Sequence, residues 1–310
     1  MQLLKGTPTF DFMGQRRVAA WISAVLIAIS IGSLVTRGLN WGPDFTGGVM
    51  LEVVYEQGVE LEDVRAALAD AGYGDAQVQS FGTTSDVLIR LPPVETDEMA
   101  DQLAADVLAV LRAGGEGVEM LPPEFIGSQV GEDLAEQGAL AMLFATIMIF
   151  IYVMFRFRWK FAAGAIAALV HDVIITVGFF SFFQFTVDLS VLAAVLAVIG
   201  YSLNDSVVVY DRIRENFHTI RRGTTFDIVN ISLNQTLSRT IITGLTTLLV
   251  LVTLLLLAGE TLFGFSTALI VGIVVGTYSS IYVGGAAVVY LNVLPADMMP
   301  PKREEVDELP

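Results

Sequence analysis

Asn204 and Asp205 stand inside a hydrophobic stretch, where a polar or charged group needs a reason to be. They belong to Ile199-Gly-Tyr-Ser-Leu-Asn-Asp-Ser-Val-Val-Val-Tyr-Asp-Arg-Ile-Arg-Glu-Asn216, which follows an uninterrupted apolar run over 189–199. An ionised carboxylate at membrane depth is costly, so it has a partner, a water-filled cavity or a proton. Asp205 is therefore either a proton-relay site or a carboxylate that packs helices by hydrogen bonding. On a helix beginning at Leu189 it lies about 24 Å along the axis. Tyr201, Ser202, Val208 and Val209 share its face, whereas Asn204 points about 100° away.

Three further groups could do chemistry. His171 and Asp172 lie inside another apolar span, either as a structural hydrogen-bonded pair or as a relay element, since histidine titrates near neutral pH. Arg239 opens the fifth span. It either snorkels to the interface or moves close to Asp205 and favours its charged form, then retreats and lets it protonate. Small and hydroxyl residues recur at Thr240, Thr243, Gly244, Thr246 and Thr247, and at Gly272, Gly276, Ser279, Ser280, Gly284 and Gly285. Such residues let helices approach or slide, with a polar lining as the alternative for the threonines.

The elements that must position these groups are mostly membrane spans. The chain has 310 residues, 54% of them hydrophobic. Residues 18–36 form a first span, too long and with the wrong flank (Val35-Thr-Arg-Gly) for a cleavable signal. A five-helix bundle over 137–291 has spans at 138–155, 161–183, 189–210, 240–258 and 264–291, each close to the length needed to cross the hydrocarbon core. Lys5, Arg16 and Arg17 precede the first span. Arg156, Arg158, Lys160, Arg212, Arg214, Arg221, Arg222, Lys302 and Arg303 fall in alternate loops and the tail. The turns at 184–188 and 259–263 carry no Lys or Arg. The positive-inside rule then places both termini (1–17 and 292–310) in the cytoplasm and residues 37–136 outside. Segment 212–238 is expected to be a cytoplasmic loop. Ile213, Phe217 and Ile220 recur at helical spacing among arginines, so it would lie along the lipid surface or meet a cytosolic partner. The tail, with Pro295, Pro300 and Pro301, is expected to be disordered.

Residues 37–136 read as a soluble α+β domain with 4 Lys/Arg against 20 Asp/Glu. Strand-like runs at 49–55, 76–81, 86–91 and 118–121 alternate with helical runs at 60–71 and 96–111. Leu61, Val64 and Leu68 face inward on the first helix, and Leu103, Val107 and Leu111 on the second. A turn at Gly82-Thr-Thr-Ser joins the middle strands, and Gly114-Gly115 ends the second helix. The order β-α-β-β-α-β suggests a ferredoxin-like fold. Its acidity argues against nucleic acid. The domain has no nucleotide-binding glycine pattern and no nucleophile motif. The chain has no cysteine, which excludes thiol chemistry, and only His171 and His218, which speaks against a multi-histidine metal site. No enzyme activity and no cofactor are expected.

At this point the residues resemble a known family. Gly42-Pro-Asp-Phe-Thr-Gly-Gly48 is similar to the G-x-D-F-x-G-G signature of the SecD/SecF protein-export membrane proteins, on Asp44, Phe45, Gly47 and Gly48. The 199–216 segment resembles the fourth-helix motif of the SecF branch, whose Asn-Asp before Ser-Val-Val-Val differs from SecD. Leu237-Ser-Arg-Thr-Ile-Ile-Thr-Gly-Leu-Thr-Thr247 resembles its fifth-helix motif, and His171-Asp172-Val173 also fits. Pro43 fills a variable position. Gly244 stands where serine is common, so no role of that hydroxyl carries over.

The resemblance implies a polytopic protein of the resistance-nodulation-division type in a bacterial cytoplasmic membrane: six helices and one outer domain. It implies pairing with SecD, association with the SecY-SecE-SecG channel, and use of the inward proton gradient, as the energy source, to draw preproteins outward after SecA and ATP have driven them in. Asp205 would accept the proton and Arg239 would modulate it, with His171, Asp172 and Asn204 as lesser members of the path. Other classes remain open. A proton-driven exporter of small molecules or lipids usually has twice this many helices in one chain. A non-conducting scaffold of the channel would need Asp205 only for shape. An intramembrane aspartyl protease could use Asp172 with Asp205, though nothing around them resembles such a site.

Overall fold

Lipid offers no partner to a backbone amide, so a spanning segment folds as a helix that satisfies itself. In the computed structural model, which describes residues 8–81, 83–114, 117–157, 159–220, 222–259 and 262–293, six helices are long and apolar enough to cross a membrane. They are α1 (Arg16–Arg37), followed after the outer domain by α5 (Ser128–Arg156), α6 (Trp159–Phe183), α7 (Leu189–Thr219), α8 (Thr225–Leu257), and α9 (Phe263–Ser279) continued by α10 (Gly285–Tyr290). A π-helical turn, Ser280–Gly284, joins the last two. Lys5, Gly82, Gly115, Arg158, Arg221 and the tail from Pro295 through Lys302 and Arg303 lie outside the described residues.

Between α1 and α5 lie β1 (Asn40–Trp41), the single turn α2 (Pro43–Thr46), β2 (Gly48–Tyr55), α3 (Leu61–Asp70), β3 (Gln77–Phe81), β4 (Thr83–Leu91), α4 (Asp97–Gly114), β5 (Val118–Met120) and β6 (Glu124–Ile126). The sheet order is β3-β4-β2-β5, with β6 pairing the start of β2, and the pairings are antiparallel. This is the ferredoxin-like arrangement expected from the element order. Alternate residues of β2 (Val49, Leu51, Val53) and β4 (Val87, Ile89, Leu91) meet Val64 and Leu68 of α3 and Ala104, Val107 and Leu111 of α4 in one buried core. Leu103 lies at its margin.

Two expectations need correction. Segment 212–238 is not a surface loop: α7 runs on to Thr219 and α8 begins at Thr225, where a Thr224–Asp227 capping box starts it. Ile213 and Phe217 are buried against Ile228, Val229 and Leu233. Asn216 donates to Ser232 Oγ (2.8 Å) and Gln235 Oε1 (2.9 Å) across the pair. The apolar spacing was a packing face; the same period serves a lipid surface or a neighbouring helix. Helix α5 likewise starts ahead of the expected span, so its first turns belong with the outer domain.

The N-terminal segment is docked rather than free. Phe10 N–H donates to Asn234 Oδ1 (2.8 Å) and Phe12 N–H to Asn230 Oδ1 (2.9 Å), while both amide groups donate back to Phe10 O. Met13 is buried in the bundle core, and Arg16 lies over the rings of Phe226 and Tyr290. Replacing Asn230 and Asn234 together with Ala is expected to weaken this docking by about 2 kcal/mol and raise the opened fraction roughly thirtyfold. The rate of tryptic cleavage at Arg16 and Arg17 measures it.

Candidate functional site

Helix α7 carries the centre of the bundle. Asp188 caps it, its Oδ1 accepting from Val191 N–H (2.8 Å). Close packing follows from glycine on α9: a Cβ at Gly272 would collide with Val198, and one at Gly276 would lie 3.2 Å from Ser202 Cβ. The small-residue spacing is thus a packing device between α9 and α7. Three of the α8 threonines spend their hydroxyl hydrogens within their own helix. Thr243, Thr246 and Thr247 donate to carbonyls of their own helix, to Arg239 O, Ile242 O and Thr243 O respectively.

Two carboxylates lie in this packing, with opposite surroundings. Asp172 is 0% exposed and fully engaged. Its Oδ2 accepts from Ser202 Oγ (2.5 Å) on α7 and Ser279 Oγ (2.7 Å) on α9, and its Oδ1 pairs with His171 Nδ1 (2.9 Å). His171 Nε2 reaches Ser23 Oγ (3.1 Å) on α1. Ser23 meets Tyr278 OH (3.1 Å), which donates to Ala19 O (2.6 Å). One polar cluster therefore clasps α1, α6, α7 and α9.

Asp205 is 4% exposed, and its side chain makes no hydrogen bond among the described residues. The cation whose charge reaches it is Arg239 on α8, but no ion pair joins the two among the described residues. Arg239 lies about 21 Å along α8, which begins well before the expected span. Its side chain is exposed on the single chain. One turn before Asp205, Tyr201 OH is also buried without a partner among the described residues, beside Gly244. Asn204 is exposed, on the other side of α7. A buried carboxylate lacking donors is destabilised in its ionised form unless a cation or a proton compensates. Of the residues singled out, the structure brings Asp205 and Arg239 into one site, assembles His171 and Asp172 into another, and leaves Asn204 outside both. Ser23 and Tyr278 carried no recognisable signal in sequence beyond being polar residues in apolar spans.

The glycine signature forms a third assembly, where the outer domain meets the bundle. Gly42 N–H donates to Val187 O (2.6 Å), and β1 pairs in parallel with the two-residue strand β7 (Thr186–Val187). Asp44 Oδ2 accepts from Leu189 N–H (2.8 Å), a second cap on α7 supplied from outside it. Phe45 packs edge-on to Trp41. Gly47 and Gly48 take φ of 68° and 142°, and a Cβ on Gly48 would lie 2.8 Å from Leu91 O, so the turn into β2 demands glycine. Arg90 of β4 donates to Trp41 O (2.6 Å) and Thr46 Oγ1 (2.9 Å). Burial lowers the Arg90 pKa, partly offset by the Asp44 charge.

Known proteins resemble this chain along its length. Residues 107–293 match the family model "Protein export membrane protein SecD/SecF, C-terminal", and residues 32–59 match "SecD/SecF GG Motif". The chain is 49% identical to Protein translocase subunit SecF of Vibrio alginolyticus, over 100% of this chain and 99% of that one. It is 50% identical to the protein of the same name from Pseudomonas aeruginosa, over 97% and 98%. It superposes on a crystal structure of SecDF, a translocon-associated membrane protein from Thermus thermophilus, with a TM-score of 0.83 and 38% identity. That match covers 94% of this chain and 39% of the solved one. With full-length relatives at this identity and a family model spanning more than half of it, the chain belongs to the SecD/SecF family of protein-export membrane proteins, in its SecF branch.

Proposed function

We propose that this chain acts with a SecD to use the inward proton gradient to complete preprotein movement across the bacterial cytoplasmic membrane, beside a SecY-SecE-SecG channel fed by SecA. The observation that carries this reading is Asp205: a buried carboxylate with no side-chain hydrogen bond among the described residues, on which the charge of Arg239 on α8 acts. Protonation would cancel its attraction to Arg239 and loosen α7 against α8. One charge moved through 100 mV corresponds to about 2.3 kcal/mol, enough to shift such a seam appreciably. The solved SecDF chain, of which this one covers 39%, supports a SecD supplying the remainder.

Sidedness supports the same reading. Arg156 Nη2 donates to both carboxylate oxygens of Asp211 (2.9 and 2.8 Å), and Lys160 reaches Asn292 O (3.3 Å), at the bundle end that also holds the N-terminal segment. The α+β domain sits at the opposite end. By the positive-inside rule the basic end is cytoplasmic and the domain outside. The test uses vesicles holding the channel, SecD and this chain. Dissipating the gradient with an ionophore is expected to remove late-stage export stimulation only when this chain is present. Equal export with and without the gradient would count against the proton-driven reading.

A further inference from the structure

We propose that Asp44 and Arg90 form a rigid coupling that carries movement of α7, and with it Asp205, into the outer domain; this deepens the proton-driven reading above and rests on it. The signature residues have no contact with the proton site that would explain their chemistry. They do make the direct polar link between the outer end of α7 and the outer domain.

That link is continuous. Asp205 and Leu189 are on one unbroken helix, so any tilt or shift of the Asp205 region is passed along it to Leu189. Leu189 N–H is held by Asp44, which thus ties the helix start to α2. A carboxylate suits this position, because free N–H groups and the positive end of the helix dipole converge there. From α2 the connection divides. The chain itself passes through Gly47 and Gly48 into β2, the central strand. Arg90 reaches from the adjacent strand β4 to Trp41 O and Thr46 Oγ1, clamping the turn between the domain and α7. On its other side the turn is pressed onto α5, where a Cβ at Gly131 would lie 2.8 Å from Gly47 N.

The joint is therefore stiff toward α7. Beside it is open space: a groove of about 440 Å³ bordered by Asn40, Trp41, Asp75, Gln77 and Arg90. Displacement of this clamp is therefore delivered to β2 and β4 together, the two central strands of the domain. Asp44 and Arg90 are positioning residues, since neither touches the proton site.

The test separates coupling from proton movement. Proteoliposomes with the channel, SecD and the full chain are assayed for gradient-driven export and, in parallel, for proton uptake. Asp44→Ala and Arg90→Gln are expected to reduce gradient-driven export about fivefold, the factor corresponding to loss of one helix cap, with proton uptake retained. Asp44→Asn keeps an oxygen that can accept from Leu189 N–H and is expected to stay within about twofold of wild type, as Asn and Asp cap equally well. If Asp44→Ala fails to accumulate, Arg90→Gln and Asp44→Asn carry the same comparison. Export at wild-type level in Asp44→Ala or Arg90→Gln overturns the coupling. So does a parallel fall of uptake and export, which would assign the residues to the fold or the proton path. Failure of the underlying reading looks different: Asp205→Asn would then leave both uptake and export unchanged.

Discussion

Asp205→Asn is expected to reduce gradient-stimulated export to the level seen without a gradient, while leaving membrane insertion and pairing with SecD intact. Asn matches Asp in shape but takes up no proton in the working range. The substitution should cost little stability, because the native carboxylate makes no hydrogen bond that Asn would lose. It also removes the need to compensate a buried charge, and replacing such a charge by a neutral group of similar volume is often neutral or stabilising. A variant that is as stable as wild type and yet inactive would place the effect in proton chemistry and not in packing. Asp205→Glu retains a titratable group on a longer arm, so a partial effect is expected. Arg239→Gln should impair export as well, since it removes the cation that discriminates charged from neutral Asp205. Wild-type export by Asp205→Asn, measured in vesicles with a defined gradient, would assign the residue to structure and make the chain a scaffold.

The parts of this site that were legible in sequence are those where a single residue violates its surroundings. Asp205 in an apolar run is such a violation, and so are His171 and Asp172. The price of burying them makes each conspicuous without any neighbour being known. The βαββαβ order was legible for a related reason: strand and helix periods differ, and Val49, Leu51 and Val53 alternate where Val64 and Leu68 recur at helical spacing.

What stayed hidden depends on partners distant in sequence. Nothing local to Ser23 says that it meets His171, and a serine in a span has many bland explanations. Asp44 was visible as part of a short pattern, but its bond to Leu189 crosses 145 residues. Asn230 and Asn234 read as polar residues of a loop because α8 was expected to start later; the capping box at Thr224 and Asp227 was the signal that could have moved its start. The amphipathic pattern of 212–220 was correctly periodic and wrongly placed, since period alone does not distinguish lipid from protein as the surface that receives it.

The second large effect is expected at Asp172, and of the opposite kind. Asp172→Ala should destabilise the bundle by about 3–5 kcal/mol, because it leaves Ser202 and His171 buried without their acceptor and Ser279 with Gly276 O alone. In detergent the midpoint of thermal aggregation should fall by on the order of 10 °C. Asp172→Asn should be far milder, and counting protons shows why. Tyr278 OH spends its hydrogen on Ala19 O, so Ser23 must donate to Tyr278 and accept from His171 Nε2. Every member of the wild-type cluster is then satisfied with one proton between Asp172 Oδ1 and His171 Nδ1 and another on Nε2 toward Ser23. With Asn at position 172, the amide N–H₂ donates to His171 Nδ1 and the amide oxygen still accepts from Ser202 and Ser279. The ring needs only its Nε2 proton, and the outward hydroxyl chain keeps its direction. Asp172→Asn should therefore keep most of the thermal stability and most of the gradient-driven export, in contrast to Asp205→Asn. Loss of export by Asp172→Asn at unchanged stability would place the His171–Asp172 pair in the proton path instead of the frame around it.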